Sequence, residues 1–177
     1  MIDFARNHFE LFGLPARFRF DAALLDRAYH ALQGEVHPDR YAAASAAEQR
    51  LALQSSARVN EAYRALKDPV ARAQYLLSLH GVEAFDETDT SLPLDFLERQ
   101  LERREIADTA LTGGDAHALD TLLREVRAEA RELEQRVSSL LDVDGAWIAA
   151  RVAVRELRFL AKLAADIDGM LAAQDDR

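Results

Sequence analysis

His37-Pro38-Asp39-Arg40 separates two segments of helical periodicity, Asp21 to Val36 and Ser45 to Lys67, and its reading decides the fold of the first half of the chain. Proline holds its own φ near about −65° and disfavours the helical region for the residue before it. His37 is therefore predicted to end the first segment, and a short stiff turn should present an imidazole and a carboxylate. An X-Pro-Asp turn can equally be plain punctuation between helices. The flanking sequence has to decide.

Upstream, Asp21 is a predicted N-cap, and Leu24, Leu25, Ala28, Leu32 and Val36 recur at three- and four-residue spacing, the pattern of an amphipathic helix. Downstream, Ser45 with Glu48 reads as a capping box. The expected apolar stripe there is Leu53, Ala57, Asn60, Tyr63 and Leu66, with Val59 and Ala62 alongside. Asp68-Pro69 breaks that helix. His8 to Phe12, stopped by Gly13-Leu14-Pro15, and Val70 to Leu79 read as shorter helices. Two antiparallel helices joined at His37 would form a finger, braced by the short ones.

Residues 82–92 have no periodicity and carry Glu83, Asp86, Glu87 and Asp89, so they read as a linker. Pro93 suits the first turn of a helix running to about Leu111, and Thr112-Gly113-Gly114 breaks it. Asp115 caps a helix with the stripe Leu119, Leu122, Val126, Ala130, Leu133, Val137 and Leu140. After a turn at Asp142 to Gly145, a last helix places Ala150, Ala153, Leu157, Leu160, Ala164, Ile167 and Leu171 on one seam. These three should pack as an up-down-up bundle.

Composition excludes several functions. The 177 residues are 49% apolar and contain no cysteine, which removes disulfides, thiolate nucleophiles and cysteine-ligated metal sites within the chain. No apolar run approaches the ~20 residues of a membrane helix. The N-terminus lacks a basic-then-apolar secretory pattern, so a soluble cytoplasmic protein is expected. Residues 1–80 hold 10 Lys+Arg and 9 Asp+Glu, whereas 81–177 hold 12 and 22, net −10. Such an acidic half argues against nucleic acid and for a protein partner. His8, His30, His80 and His117 show no metal-ligand spacing, and Gly113-Gly114 is a helix break rather than a phosphate loop. Trp147 reads as core or interdomain packing. No paired catalytic groups stand out, so no enzyme is expected.

His37-Pro38-Asp39, Asn60-Glu61-Ala62-Tyr63-Arg64-Ala65-Leu66 and Asp68-Pro69 together resemble a J-domain. Leu11-Phe12-Gly13-Leu14-Pro15, Arg72 through Gly81, Phe96 through Glu105 and Leu157 through Leu163 extend the likeness over nearly the whole chain. It resembles the HscB family, J-type co-chaperones of iron–sulfur cluster assembly. The resemblance implies an all-α protein, with a J-domain over 1–81, a linker over 82–92 and a three-helix bundle over 93–177. It implies no cofactor and no chemistry of its own. The J-domain would engage a DnaK-class ATPase chaperone (HscA-like) and stimulate it; the bundle would bind an iron–sulfur scaffold protein (IscU-like) and deliver it. No membrane partner is implied. A different client, or self-association of the acidic bundle, is the alternative.

The chaperone-binding residues so implied are His37, Pro38, Asp39 and Arg40, with Arg27 on the preceding helix. Gly34-Glu35 thins the basic face expected just before the turn. The scaffold-binding residues implied are Leu97, Leu101, Glu102, Glu105 and Phe159. Helical phase adds a reading of its own. At about 100° per residue, Leu94, Leu97 and Leu101 share an arc with Glu98, Glu105 and Asp108, while Phe96, Ala107 and Ala110 point the other way. An apolar strip fringed by carboxylates is a docking patch; the bland alternative is that these leucines are core. Glu98 and Thr109 stand where the family often carries a methionine and an acid.

Overall fold

The computed structural model describes residues 2–85 and 92–175. It is all-helical among those residues and falls into two compact units, Met1–Leu79 and His80–Arg177. No helix among them is long and apolar enough to cross a membrane.

In the first unit α1 (His8–Leu11) is opened by a capping box between Asn7 and Glu10. α2 (Ala22–Val36) starts where the Asp21 carboxylate accepts from the Ala23 amide at 2.9 Å, and it ends at His37. α3 (Ala46–Lys67) carries the predicted Ser45–Glu48 box, and α4 (Pro69–Leu79) begins after Asp68, whose side chain accepts from the Ala71 amide at 2.7 Å. These caps satisfy amides that a helix start leaves without partners.

α2 and α3 are joined by a polar and aromatic seam. The Tyr29 and Tyr63 rings stack with centroids 4.0 Å apart, and the Tyr29 hydroxyl donates to Asn60 at 3.0 Å. Asp26 accepts from the Tyr63 hydroxyl at 2.9 Å and from Lys67 at 2.7 Å. The Lys67 bond, then that of Tyr63, holds the Asp26 carboxyl below its usual range. Below the seam lies the apolar core of Phe9, Leu25, Val36, Val59, Leu66 and Leu77. His8 is buried with its ring stacked on Tyr75, and burial, then the Arg58 charge, holds its imidazole below the usual value.

The expected stripe on α3 holds at Leu66, with Val59 and Ala62 buried as well, but is out of phase at Leu53 and Ala57. Ala52, Ser55, Val59, Ala62 and Leu66 form the buried line, whereas Leu53 is 57% exposed and Ala57 is also exposed. Both lines obey three-four spacing. α3 packs against α1, α2 and α4, and those neighbours select the line with the smaller side chains. Asn60 and Tyr63 lie on the α2 side, half-buried in the polar seam.

Gly34 sits inside α2, where a Cβ would meet nothing within 4 Å. Gly34→Ala should stabilise the protein by about 0.5–1 kcal/mol by restricting the unfolded chain. Urea denaturation checks this, a raised midpoint with unchanged slope being the expected outcome.

The second unit is α5 (Leu94–Gly113), α6 (Ala116–Asp142) and α7 (Trp147–Asp175). Gly114, at φ 67°, ends α5 in the left-handed region that glycine adopts without strain, and Asp115 then accepts from the Ala118 amide at 2.9 Å. The predicted seams hold for most of their length. Leu119, Leu122, Val126, Leu133 and Val137 of α6 meet Ala150, Ala153, Leu157, Leu160 and Ile167 of α7. Leu141 rather than Leu140 closes the α6 line, with Leu123, Val154 and Leu163 added. Trp147 is half-buried, stacked on His80 at 3.7 Å.

The segment predicted as a linker is only partly described, since residues 86–91 lie outside the described range. What is described is packed. Ala84 is buried and its carbonyl accepts from Arg155 at 2.7 Å, while Arg158 lies over the Phe85 ring at 4.2 Å.

Between α5, α6 and α7 runs a charged side in which Arg103 pairs with Glu129. Glu156 is buried beside it, and burial pushes its carboxyl above the usual range although Arg136 and Arg99 pull it down. A carboxyl whose folded pKa is raised binds its proton more tightly in the native state. Stability is then lost as pH rises from the unfolded value through the folded one. Glu156→Gln should therefore raise the melting temperature at neutral pH and leave it nearly unchanged at pH values below the ordinary glutamate pKa. Thermal melts across that range check the sign.

Candidate functional site: an exposed acidic turn and an apolar groove

Each unit carries one surface feature that packing does not explain. On the first it is the turn after α2. His37 leaves the helix at φ −60°, ψ 128°, and Pro38–Tyr41 form a single 3-10 turn. The His37 Nδ1 accepts the Asp39 amide at 3.3 Å and stands 3.6 Å from the Asp39 carboxylate. The Asp39 side chain is 89% exposed.

Everything around that carboxylate is tied down. Arg40 donates to the Gly34 carbonyl at 2.9 Å and Tyr41 to the Glu35 carbonyl at 3.3 Å, so both cap the C-terminal end of α2. From α3, the Gln49 amide donates to the carbonyls of Ala42 and Ala44 at 3.2 and 3.1 Å. Val36 is buried beneath. The result is a free charge on a braced support, the arrangement that loses least entropy on docking. Arg27 is exposed on α2, in line with Ala31 and Gly34, which are exposed too. Arg40, expected as a contact, is engaged in holding the turn. Tyr41 and Gln49 had no signal in the sequence, because their partners are backbone carbonyls.

On the second unit the feature lies along α5. This helix buries Phe96, Gln100, Ala107 and Ala110, but turns its other large apolar side chains outward. Leu97 is 37% exposed and Leu101 63%, and Leu94 and Ile106 are exposed as well. α5 packs mainly on α6 and meets α7 over a shorter line, leaving a groove of about 370 Å³ between α5 and α7. Leu97, Leu101, Phe159 and Leu163 give it an apolar wall. Phe159 is half-buried, edge-on to Phe96 at 5.8 Å.

Three of the expected scaffold residues, Leu97, Leu101 and Phe159, thus come together. Glu102 and Glu105 do not join them. They line a separate, shallower hollow with Ile106 and Thr109. The polar rim of the groove is instead Arg104, Lys162 and Asp166. Arg104 extends the Leu97–Leu101 line by three residues, a signal legible in the sequence; that Lys162 would face it depended on which helices are neighbours. Among the described residues, no three of His, Asp or Glu converge to hold a metal ion.

Residues 92–168 match the family model described as the HSCB C-terminal oligomerisation domain. Over 171 residues, 97% of both chains, the protein is 46% identical to the co-chaperone protein HscB homolog of Burkholderia multivorans. Among solved structures, the chaperone HscB from Vibrio cholerae superposes with a TM-score of 0.82 at 38% identity, covering 92% of this chain and 96% of that one. Human co-chaperone protein HscB gives 0.87 at 30% identity, over 94% and 83%.

Proposed function

The chain belongs to the HscB family of co-chaperones, and on that footing we propose that it couples a DnaK-class ATPase chaperone (HscA-like) to an iron–sulfur scaffold protein (IscU-like). In this reading the His37-Pro38-Asp39 turn docks on the chaperone, with Arg27 beside it. Docking favours the chaperone conformation competent for hydrolysis, so the co-chaperone acts through unequal affinity for two states of its partner. The groove of Leu97, Leu101 and Phe159 holds the scaffold, and Glu102 and Glu105, in the separate hollow on the α6 side of α5, meet further basic groups of it.

The observation that carries the proposal is Asp39: a fully presented carboxylate on a turn braced by Arg40, Tyr41 and Gln49. A carboxylate with only a turn-stabilising role would be engaged by the turn's own amides. The test is the ATPase rate of the cognate DnaK-class chaperone with this protein, with and without the scaffold. Stimulation by the protein, larger with the scaffold present, is expected; no stimulation in either case would sink the proposal.

A second reading has support from the description of the matching family model, which names oligomerisation. The exposed leucines of α5 would then meet a second copy. Sedimentation of the protein alone, compared with Leu101→Ser, separates the two: a dimer lost in the variant favours self-association.

A further inference from the structure

The groove combines an apolar wall with a charged rim. Asp95, Phe96 and Arg99 of α5 share one hollow with Val152 and Glu156, and Leu97 to Arg104 share the groove with Phe159 to Asp166, so α5 and α7 run in parallel. From the level of the Phe96–Phe159 contact, Lys162 lies ~4.5 Å further along its helix axis and Arg104 ~12 Å along its own. Lys162 stands on the rim beside the apolar wall, ahead of Leu163 and Leu101, and Arg104 comes level with Asp166 at the far end. The three ionised side chains leave the rim net positive.

The surroundings are acidic, since residues 81–177 carry net −10. Arg99, Arg103, Arg124 and Arg127 each pair with an acid of the bundle. Arg104 and Lys162 have no such pair among the described residues, and both are exposed. Two cations left unneutralised at the mouth of an apolar groove set a charge requirement on whatever enters it.

Building on the reading of the groove as the scaffold's seat, we propose that it selects a scaffold segment in which an apolar anchor is followed, one to two helical turns on, by a carboxylate held between Arg104 and Lys162. The apolar wall supplies contact area. The two rim cations supply register and choice, since a basic or apolar residue between them meets repulsion or leaves the cations unanswered. Part of the attraction acts at a distance and weakens as salt screens it.

Calorimetric titration of the full chain with its iron–sulfur scaffold, at low and at physiological salt, tests this. Arg104→Glu/Lys162→Glu should weaken binding at least about tenfold at low salt, and added salt should then relieve part of that loss by screening the new repulsion. Arg104→Gln/Lys162→Gln should fall between that variant and the wild type, and Asp166→Asn should tighten binding by about twofold. Opposite signs from neighbouring rim residues would not arise from a structural role. If both double variants bind as the wild type does while Leu97→Ala/Leu101→Ala abolishes binding, the charge requirement is wrong and the groove stands. If no variant changes the affinity, the groove itself is not the scaffold's seat.

Discussion

Asp39→Asn is expected to abolish stimulation of the chaperone's ATPase and to leave the co-chaperone's melting temperature where it was. The two halves of that expectation have separate causes. The carboxylate is 89% exposed and takes part in holding the turn only through a His37 contact at 3.6 Å, so the fold has little to lose. Arg40, Tyr41 and Gln49, which brace the turn, are untouched. In the complex, by contrast, the charge would be desolvated against a basic group of the chaperone. Removing one member of such a pair costs on the order of 2–5 kcal/mol, much of it from the cation left behind. That corresponds to roughly 30- to several-thousand-fold in affinity. Asparagine keeps the shape and removes only the charge, which makes it the sharper substitution. Steady-state ATPase measurements over a range of co-chaperone concentrations read the effect, with scaffold affinity by calorimetry as the control. Wild-type stimulation by the variant would remove Asp39 from the docking surface.

The mirror-image result is expected on the bundle. Leu97→Ala with Phe159→Ala should weaken scaffold binding by about 100-fold or more, roughly 3 kcal/mol, because central apolar anchors carry most of an interface's energy. Stimulation of the chaperone in the absence of scaffold should not change. Phe159 also packs on Phe96, so part of its loss appears as lower stability of the bundle. Leu97→Ala with Leu101→Ala avoids that ambiguity. Leu101 is 63% exposed and Leu97 37%, so truncating them costs the fold less than truncating Phe159. An unchanged binding isotherm for this second pair would remove the groove from the proposed function.

Much of the turn after α2 is legible in the sequence. Proline's fixed φ, the Asp21 cap and the Ser45–Glu48 box are interactions between residues at most four apart, and the structure contains each of them. The finger of α2 and α3 follows from those stops. The exposed leucines of α5 were legible in the same way, since Leu94, Leu97 and Leu101 lie on an arc away from Phe96, Ala107 and Ala110. The resemblance to the HscB family, carried by short stretches along the chain, is matched by relatives of nearly equal length.

The sequence by itself therefore determined where helices begin and end, that the protein is built only of helices over its described residues, and which turn carries the free acid. The tertiary structure alone decided which of two equally periodic lines on α3 is buried, and that Arg40 and Gln49 hold the turn through backbone carbonyls. It also decided that Glu102 and Glu105 leave the groove while Arg104 and Lys162 rim it. The reason is the range of the forces. Backbone sterics and caps act within one helical turn, so the local sequence encodes them. The choice of buried arc is made by the helices that happen to lie alongside, and no periodicity within one helix records what its neighbours are.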